Sequence, residues 1–327
     1  MATNYEIINT ALGDEFSDRI PTATADNLAN VAQAILNYAP AKNKFLDALF
    51  NKIGLTLINK VEFNNPFARF KGPAITYGDT IEDIYVDIID GYIYDDTNTD
   101  PFGQSAPNVT AIYHTINSEM QYKVTIKDVL LRKAMRTPNG LSDLVTNIVG
   151  SLRDSADYDD YLMTMKVLSS DDIYGKIVYM GDATGTAETD GKTLLSNIKT
   201  IGSSLKHMST EFNKMGTHQN TPMERQVLVI SSQYKDIIDL DVLAGLYNLS
   251  KADISQMIIE VEGFIGNEGL VAVLVDERGF RLNQALADGG LIYNPQGLYT
   301  NHFYNNWNII SWALFRNAVA FKFAVEA

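Results

Sequence analysis

No cysteine occurs in the chain, which excludes disulfides, thiolate metal sites and a cysteine nucleophile. No run of Lys and Arg occurs either: 26 basic residues face 40 acidic ones, for a formal net charge of −14. Proteins that grip nucleic acid cluster their basic side chains against phosphate, so this composition argues against such a grip. No uninterrupted apolar run approaches the ~18 residues of a membrane span. The opening segment "MATNYEIINTALGDEF" lacks the basic stretch and apolar core of a signal peptide. Internal repeats and low-complexity tracts are absent as well.

Motifs for chemistry are also missing. "DGKT" at Asp190–Thr193 has the ending of a phosphate-binding loop, but Thr186 stands where the first glycine of that loop is required; a solvated helix start is the expectation. "DDTNTDPFG" at Asp95–Gly103 places Asp96, Asn98 and Asp100 at calcium-loop offsets, yet Pro101 and Pro107 stand where Gly and Glu are needed. An ordinary Asx-turn loop fits better. The histidines His114, His207, His218 and His302 show no metal spacing. Ser231 and Ser232 follow a strand pattern but lack the glycines of a nucleophile elbow. Asp276 and Glu277 sit in an apparent hairpin turn, where solvation is expected rather than a catalytic dyad. The reading is therefore of a protein that is not an enzyme, with no catalytic, cofactor or metal residues.

What is present is length and pattern. The 327 residues, 46% of them hydrophobic, suffice for about two folding units. Leu28, Val31, Ile35 and Leu36 mark a helix over Thr24–Tyr38, ended by Pro40; Phe45, Leu49 and Ile53 mark a second one stopping at Gly54. The residues before Thr24 show little periodicity and read as a flexible arm. From Leu55 the period changes to two: "LTLINKVEF" and "IEDIYVDIIDGYIY" predict a long hairpin. Further strands follow Val109. Leu141, Leu144, Ile148, Leu152 and Ala156, continued by Leu162 and Met165, predict a helix over Leu141–Leu168, roughly 40 Å long. Asp154, Asp157, Asp159 and Asp160 on it must be solvated or partnered. "IYGKIVYM" reads as a strand, Lys192 to about Met215 as a helix, "QVLVIS" as a buried strand, and "QYKDIIDLDVLAGLYN" as a helix. "MIIEVEGF" reads as a strand, "GLVAVLVDERGFRL" as a hairpin turning at Asp276–Gly279, and the last segment as one or two strands.

Between the two halves of the predicted long hairpin lies "EFNNPFARFKGPAITYGDT", where Phe63, Phe67 and Phe70 stand among turn formers. Turns favour the surface and large rings the interior. Two arrangements resolve the conflict: the rings fold back onto their own domain, or a neighbouring copy of the chain covers them.

The succession of these elements resembles the major capsid proteins of tailed bacteriophages, of Hong Kong 97-type fold, and among them the short capsid proteins of small podoviruses. The residues that carry the likeness are "LTLINKVEF…IEDIYVDIIDG", "YKVTIKDVLLRKAM" leading into "LSDLVTNIVGSLRDSADYDDYLMTMKVL", "VLVISSQYKDII", "IIEVEGF", "VAVLVDERGFRL" and "LIYNPQGLYTNHFYNNWNIISWALFRNAVAFKF". The resemblance implies an α+β fold with an N-terminal arm (1–54), an extended loop and flanking strands (55–116) and a peripheral domain with a long spine helix (117–189). An axial domain (190–291) and return strands of the peripheral domain (292–327) complete it. It implies a virion shell subunit made in the bacterial host cytoplasm. That subunit would self-assemble in hexamers and pentamers into an icosahedral head around double-stranded DNA, which it would contact non-specifically, and it would have no membrane partner. It leaves room for a separate scaffolding protein and a portal; the absence of a charged coiled coil before Thr24 argues against a fused scaffold. An encapsulin-like compartment shell is the alternative. The resemblance places Phe63, Phe67, Phe70 and Lys71 at an inter-subunit interface, because the family's extended loop lies across the adjacent subunit.

Overall fold

The computed structural model describes residues 4–13, 16, 18–45, 63–75, 79–89, 91, 106–129, 140–183, 187–235 and 257–324. The chain divides into two compact units, one of Met1–Asn65, Glu119–Asp160 and Leu286–Trp307, the other of Pro66–Ser118, Tyr161–Ala285 and Asn308–Ala327.

In the first unit, helices α1 (Asn4–Leu12) and α2 (Leu28–Asn37) and a helical stretch over 39–45 build a small core of their own. Ile7, Ile8 and Leu12 of α1 meet Val31, Ala32 and Ile35 of α2, with Ile20, Ala23, Ala41 and Phe45 filling the remainder. The Asn9 side chain closes the turn between the helices, donating to the Ala23 carbonyl at 2.9 Å and accepting from the Ala23 amide at 2.8 Å. The expectation of a flexible arm before Thr24 is thus corrected. A nine-residue helix shows little periodicity and is marginal alone in water, so packing against α2 supplies its stability. The ammonium of Lys42 is buried between both carboxylate oxygens of Asp128, at 2.7 and 2.6 Å, and lies 3.7 Å from the centre of the Tyr293 ring.

Helix α3 (Gly140–Leu168) matches the predicted long helix. Its acidic residues are in part held internally: Asp159 accepts a 2.6 Å hydrogen bond from the Tyr122 hydroxyl, and Asp160 is buried. Burial and then the Asp159 contact push the Tyr122 hydroxyl far above its ordinary pKa. Strands β3 (Ser118–Lys127), β9 (Tyr299–Trp312) and β8 (Phe280–Asn294) form a three-stranded sheet in the order β3-β9-β8.

The second unit is organised by a five-stranded mixed sheet. Its order is β4 (Lys176–Asp182), β10 (Ala318–Ala324), β7 (Leu270–Asp276), β5 (Gln226–Ser231), β6 (Ile258–Val261). Alternate residues enter two separate cores, as the two-residue period of a strand requires. Val227, Val229, Val273, Val275, Ala318 and Ala320 face Met165 and Leu168 of α3 together with Phe67, Phe280 and Trp312. Leu228, Ile230, Ala272, Leu274, Val319 and Phe321 face Leu194, Ile198, Ile201 and Leu205 of helix α4 (Ala187–Ser204). Burial on both faces explains why these strands read as unbroken apolar runs. Helix α4 stops at Ser204, short of the predicted Met215, and the chain beyond it is held by the Ser209–Gln219 bridge and by Asn213 bonding to Thr217. "DGKT" lies inside α4 with Asp190 buried, so it is not a solvated helix start.

The hairpin predicted at Asp276–Gly279 does not form. β7 pairs with β10 and β5, whereas β8 belongs to the other sheet. The short 3-10 turn Glu277–Gly279 redirects the chain, with the Asp276 carboxylate accepting from the Arg278 amide at 3.0 Å. Gly279 is needed there, because a Cβ would lie 2.1 Å from the Trp312 ring. Asp276 is not solvated either. It is buried, 3.1 Å from the Thr221 hydroxyl and 3.7 Å from Arg225.

Two outcomes test this packing. Replacing Lys42 with Met leaves a buried, unpaired Asp128 and should cost about 3–5 kcal/mol in urea unfolding, most of it restored in a Lys42→Met, Asp128→Leu double variant. Replacing Phe67 with Ala should cost about 3–5 kcal/mol in the isolated subunit, whereas a ring waiting for a neighbour would leave subunit stability unchanged.

Candidate functional site

The phenylalanine loop is described from Phe63 to Ile75. In the first unit Phe63 is half-buried and meets Tyr158 edge-on, ring centres 5.3 Å apart. In the second unit a short 3-10 turn, Ala68–Phe70, turns Phe67 inward. Its ring is fully buried, 6.0 Å from Tyr161 and 5.9 Å from Phe280. Phe70 stacks flat on Phe280 at 4.4 Å, and Phe280 meets Trp312 edge-on at 5.1 Å. The next residues run beside β8 like an added strand. Gly72 donates to Leu282 and Ile75 to Gln284, both at 2.8 Å, while Asn283 donates to Pro73 at 2.9 Å. The expectation that a neighbouring copy covers Phe67 is therefore corrected: its own chain encloses the ring completely, because the turn at Ala68–Phe70 aims it into the sheet core. Phe63 and Phe70 remain half-buried and Lys71 is exposed. The first half of the predicted hairpin, Leu55 to Glu62, and the calcium-like loop at Asp95–Gly103 lie outside the described residues.

A second surface was not singled out by the sequence. Strands β1 (Thr80–Val86) and β2 (Val109–Thr115) pair antiparallel as a two-stranded ribbon. Its inner face is tied down. Asp83 binds Arg281 at 2.7 Å, His114 meets Ser311 at 2.9 Å, and His114 lies 3.8 Å from Asp83. The Tyr85 ring stacks on Phe315 at 5.3 Å while its hydroxyl donates to the His218 carbonyl at 2.8 Å. His218 in turn contacts Asp87 at 3.0 Å. The neighbouring His114 imidazole holds the Asp83 carboxyl below its ordinary pKa, with burial opposing it and Arg281 assisting.

The outer face is apolar and open. Ile84 stands opposite Ala111 and Val86 opposite Val109. Ile84, Val86 and Val109 are each more than half exposed, as are Tyr113 and the following Ile88 and Ile89. Among the described residues only Tyr113 finds a polar neighbour there, donating to Glu82 at 2.9 Å. A signal for this face was available: in "IEDIYV" both alternate rows carry large apolar residues, whereas a strand covered on one side alternates apolar with polar. Among the described residues no group of three or more His, Asp or Glu could hold a metal ion, and no helix is long and apolar enough to cross a membrane.

A family profile described as Phi29-like phage major capsid protein matches residues 5–322. The major capsid protein of Bacillus phage PZA is 32% identical over 328 residues, covering 97% of this chain and 72% of that protein. That of Streptococcus phage Cp-1 is 26% identical over 351 residues, covering 99% and 95%. Among solved structures, the capsid of Staphylococcus phage Andhra aligns with a TM-score of 0.61 at 11% identity, covering 82% of this chain and 87% of that one. The fold is α+β and Hong Kong 97-like, and the chain belongs to the Phi29-like phage major capsid protein family.

Proposed function

We propose that this chain is the shell subunit of a tailed-phage head, self-assembling through many copies into an icosahedral container for double-stranded DNA. The outer face of the β1–β2 ribbon carries this reading. A ribbon of two strands is marginal in water, and one that exposes Ile84, Val86, Val109 and Tyr113 has apolar area to bury against another molecule. A second copy of the chain is the occupant, since shell subunits of one kind meet through repeated contacts that close. Modest contacts suffice, because each copy makes several. Phe63, Phe70 and Lys71 supply a second contact point on the loop. The encapsulin-like alternative is not favoured, the family being one of phage capsid proteins.

The finer reading follows the same line. Copies group as hexamers and pentamers, with residues 190–291 as the axial domain, residues 117–189 and 292–327 as the peripheral domain, and residues 1–54 and 55–116 as arm and extended loop. The chain has structural rather than enzymatic work. Assembly takes place in the host cytoplasm, with a separate scaffolding protein and a portal as partners, and the net charge of −14 keeps packaged DNA from adhering to the wall.

Two experiments test it. Changing Ile84, Val86 and Val109 together to Ser should leave a folded subunit by circular dichroism yet abolish particles in electron micrographs; particles at wild-type yield would remove the ribbon from the interface. Like charges on neighbouring copies repel over the ~8–10 Å that salt leaves unscreened. The critical concentration for assembly, followed by light scattering, should accordingly fall as salt rises from low to moderate, and a steady rise would contradict the reading.

A further inference from the structure

Charge is unevenly spread over the second unit. From Gly191 to Thr210 the chain carries Lys192, Lys199 and Lys206 but no Asp or Glu, although acids outnumber bases 40 to 26 overall. The three lysines recur every two helical turns, so they form one row with about 10 Å between neighbours. Lys192 and Lys199 belong to α4, and Lys206 follows its end, where the Leu205 amide still donates to the Ile201 carbonyl at 2.9 Å and keeps the helical spacing. Leu194, Ile198, Ile201 and Leu205 take the opposite side of the helix, onto the sheet. Lys206 is exposed and Lys199 half-buried. Lys176, Lys235 and Lys322 of the same unit are paired with Glu211, Glu260 and Asp171, whereas no carboxylate lies within ion-pair distance of Lys199 or Lys206 among the described residues. The opposite charge gathers across the sheet. α3 packs on the face away from α4, and the 3-10 turn Asp171–Ile173 follows it directly. The Asn267 side chain donates to Asp171 at 2.9 Å and to the Ser169 carbonyl at 2.7 Å, which brings Glu268 to the same turn. Asp171 is neutralised by Lys322, but Asp172 and Glu268 are exposed with no cation in ion-pair distance among the described residues.

We propose that the lysine row of α4 meets the acidic turn at Asp172 and Glu268 of a second copy of this chain. Charge complementarity selects that occupant. The two surfaces lie on opposite layers of one unit with the five-stranded sheet between them, so they cannot satisfy each other within one copy. Front-to-back contact between copies pairs them, and the same contact repeats from copy to copy until a ring closes. A two-fold pairing of the α4 faces would instead set lysine against lysine. At short range this attraction offsets the repulsion that a net charge of −14 imposes on neighbouring copies. Nucleic-acid phosphate also attracts lysine, but Thr193, Thr200 and Ser204 direct their hydroxyl protons to the helix carbonyls of Thr189, Ser196 and Thr200. That withholds from the row neutral donors of the kind that accompany lysine at a phosphate backbone. The inference rests on the shell reading and names a second, polar contact beside the apolar ribbon.

The test is a charge exchange. A Lys199→Glu, Lys206→Glu variant should raise the critical concentration for shell assembly by about tenfold or more, because like charges then face each other across the contact. An Asp172→Lys, Glu268→Lys variant should do the same. The chain carrying all four changes should recover most of the loss. It keeps the altered helix and the altered turn, so its recovery separates a contact between copies from damage to the subunit. Wild-type assembly by either double variant would overturn the proposal, and so would a fourfold variant that assembles no better than the doubles. Shells of normal yield that retain less nucleic acid in the lysine variant would assign the row to phosphate instead. If the wild-type chain forms no shells, the shell reading itself falls; if it does and the double variants match it, only this contact falls.

Discussion

A pair of strands can bury one face against its own protein, and what lies on the other face then depends on something outside the chain. In this molecule the β1–β2 ribbon spends its polar groups on the inside: Asp83 with Arg281, His114 with Ser311, and the Tyr85 hydroxyl with the His218 carbonyl. These bonds fix the register, and with it which residues point outward. A slip of one residue would exchange the two rows, exposing Asp83 and Tyr85 and pressing Ile84 and Val86 onto polar partners. The apolar outer face is thus a consequence of the anchoring, and the capacity to associate is built into the same pairing that holds the ribbon to its unit.

The second unit gives that anchoring a rigid base. Its central strands are covered on both faces, and the chain leaves β7 by a turn that only glycine at position 279 permits, given the Trp312 ring. The same turn sets Asp276 inside, where Thr221 and Arg225 meet it, and carries the chain to Phe280, on which Phe70 and Trp312 pack. One short segment thereby joins the sheet core and the phenylalanine loop.

Much of this was legible in the sequence, and the failures have physical causes. The long helix was readable because its apolar period persists through "LSDLVTNIVGSLRDSADY", and β5, β7 and β10 because fully covered strands are unbroken apolar runs. α1 was missed because nine residues are too few for a period to stand out and its stability is tertiary. The Asp276–Gly279 hairpin was misplaced because turn chemistry announces a change of direction without saying which strand comes next. Phe67 was read as partner surface because turn formers surround it, while the cavity that takes it is lined by Tyr161 and Phe280, far along the chain.

The buried pair of Lys42 and Asp128 has a consequence for the order of events in synthesis. Its members are 86 residues apart, and Tyr293, whose ring lies over the ammonium, leaves the ribosome later still. A lysine freshly translated keeps its water until the matching acid has been made, and the aromatic cover arrives only near completion. The N-terminal helices can gather their own small core early, but their tether to the remainder of their unit is sealed late. A nascent chain halted before that point would carry an unfastened leading segment, so the tether marks the difference between a finished subunit and an interrupted one.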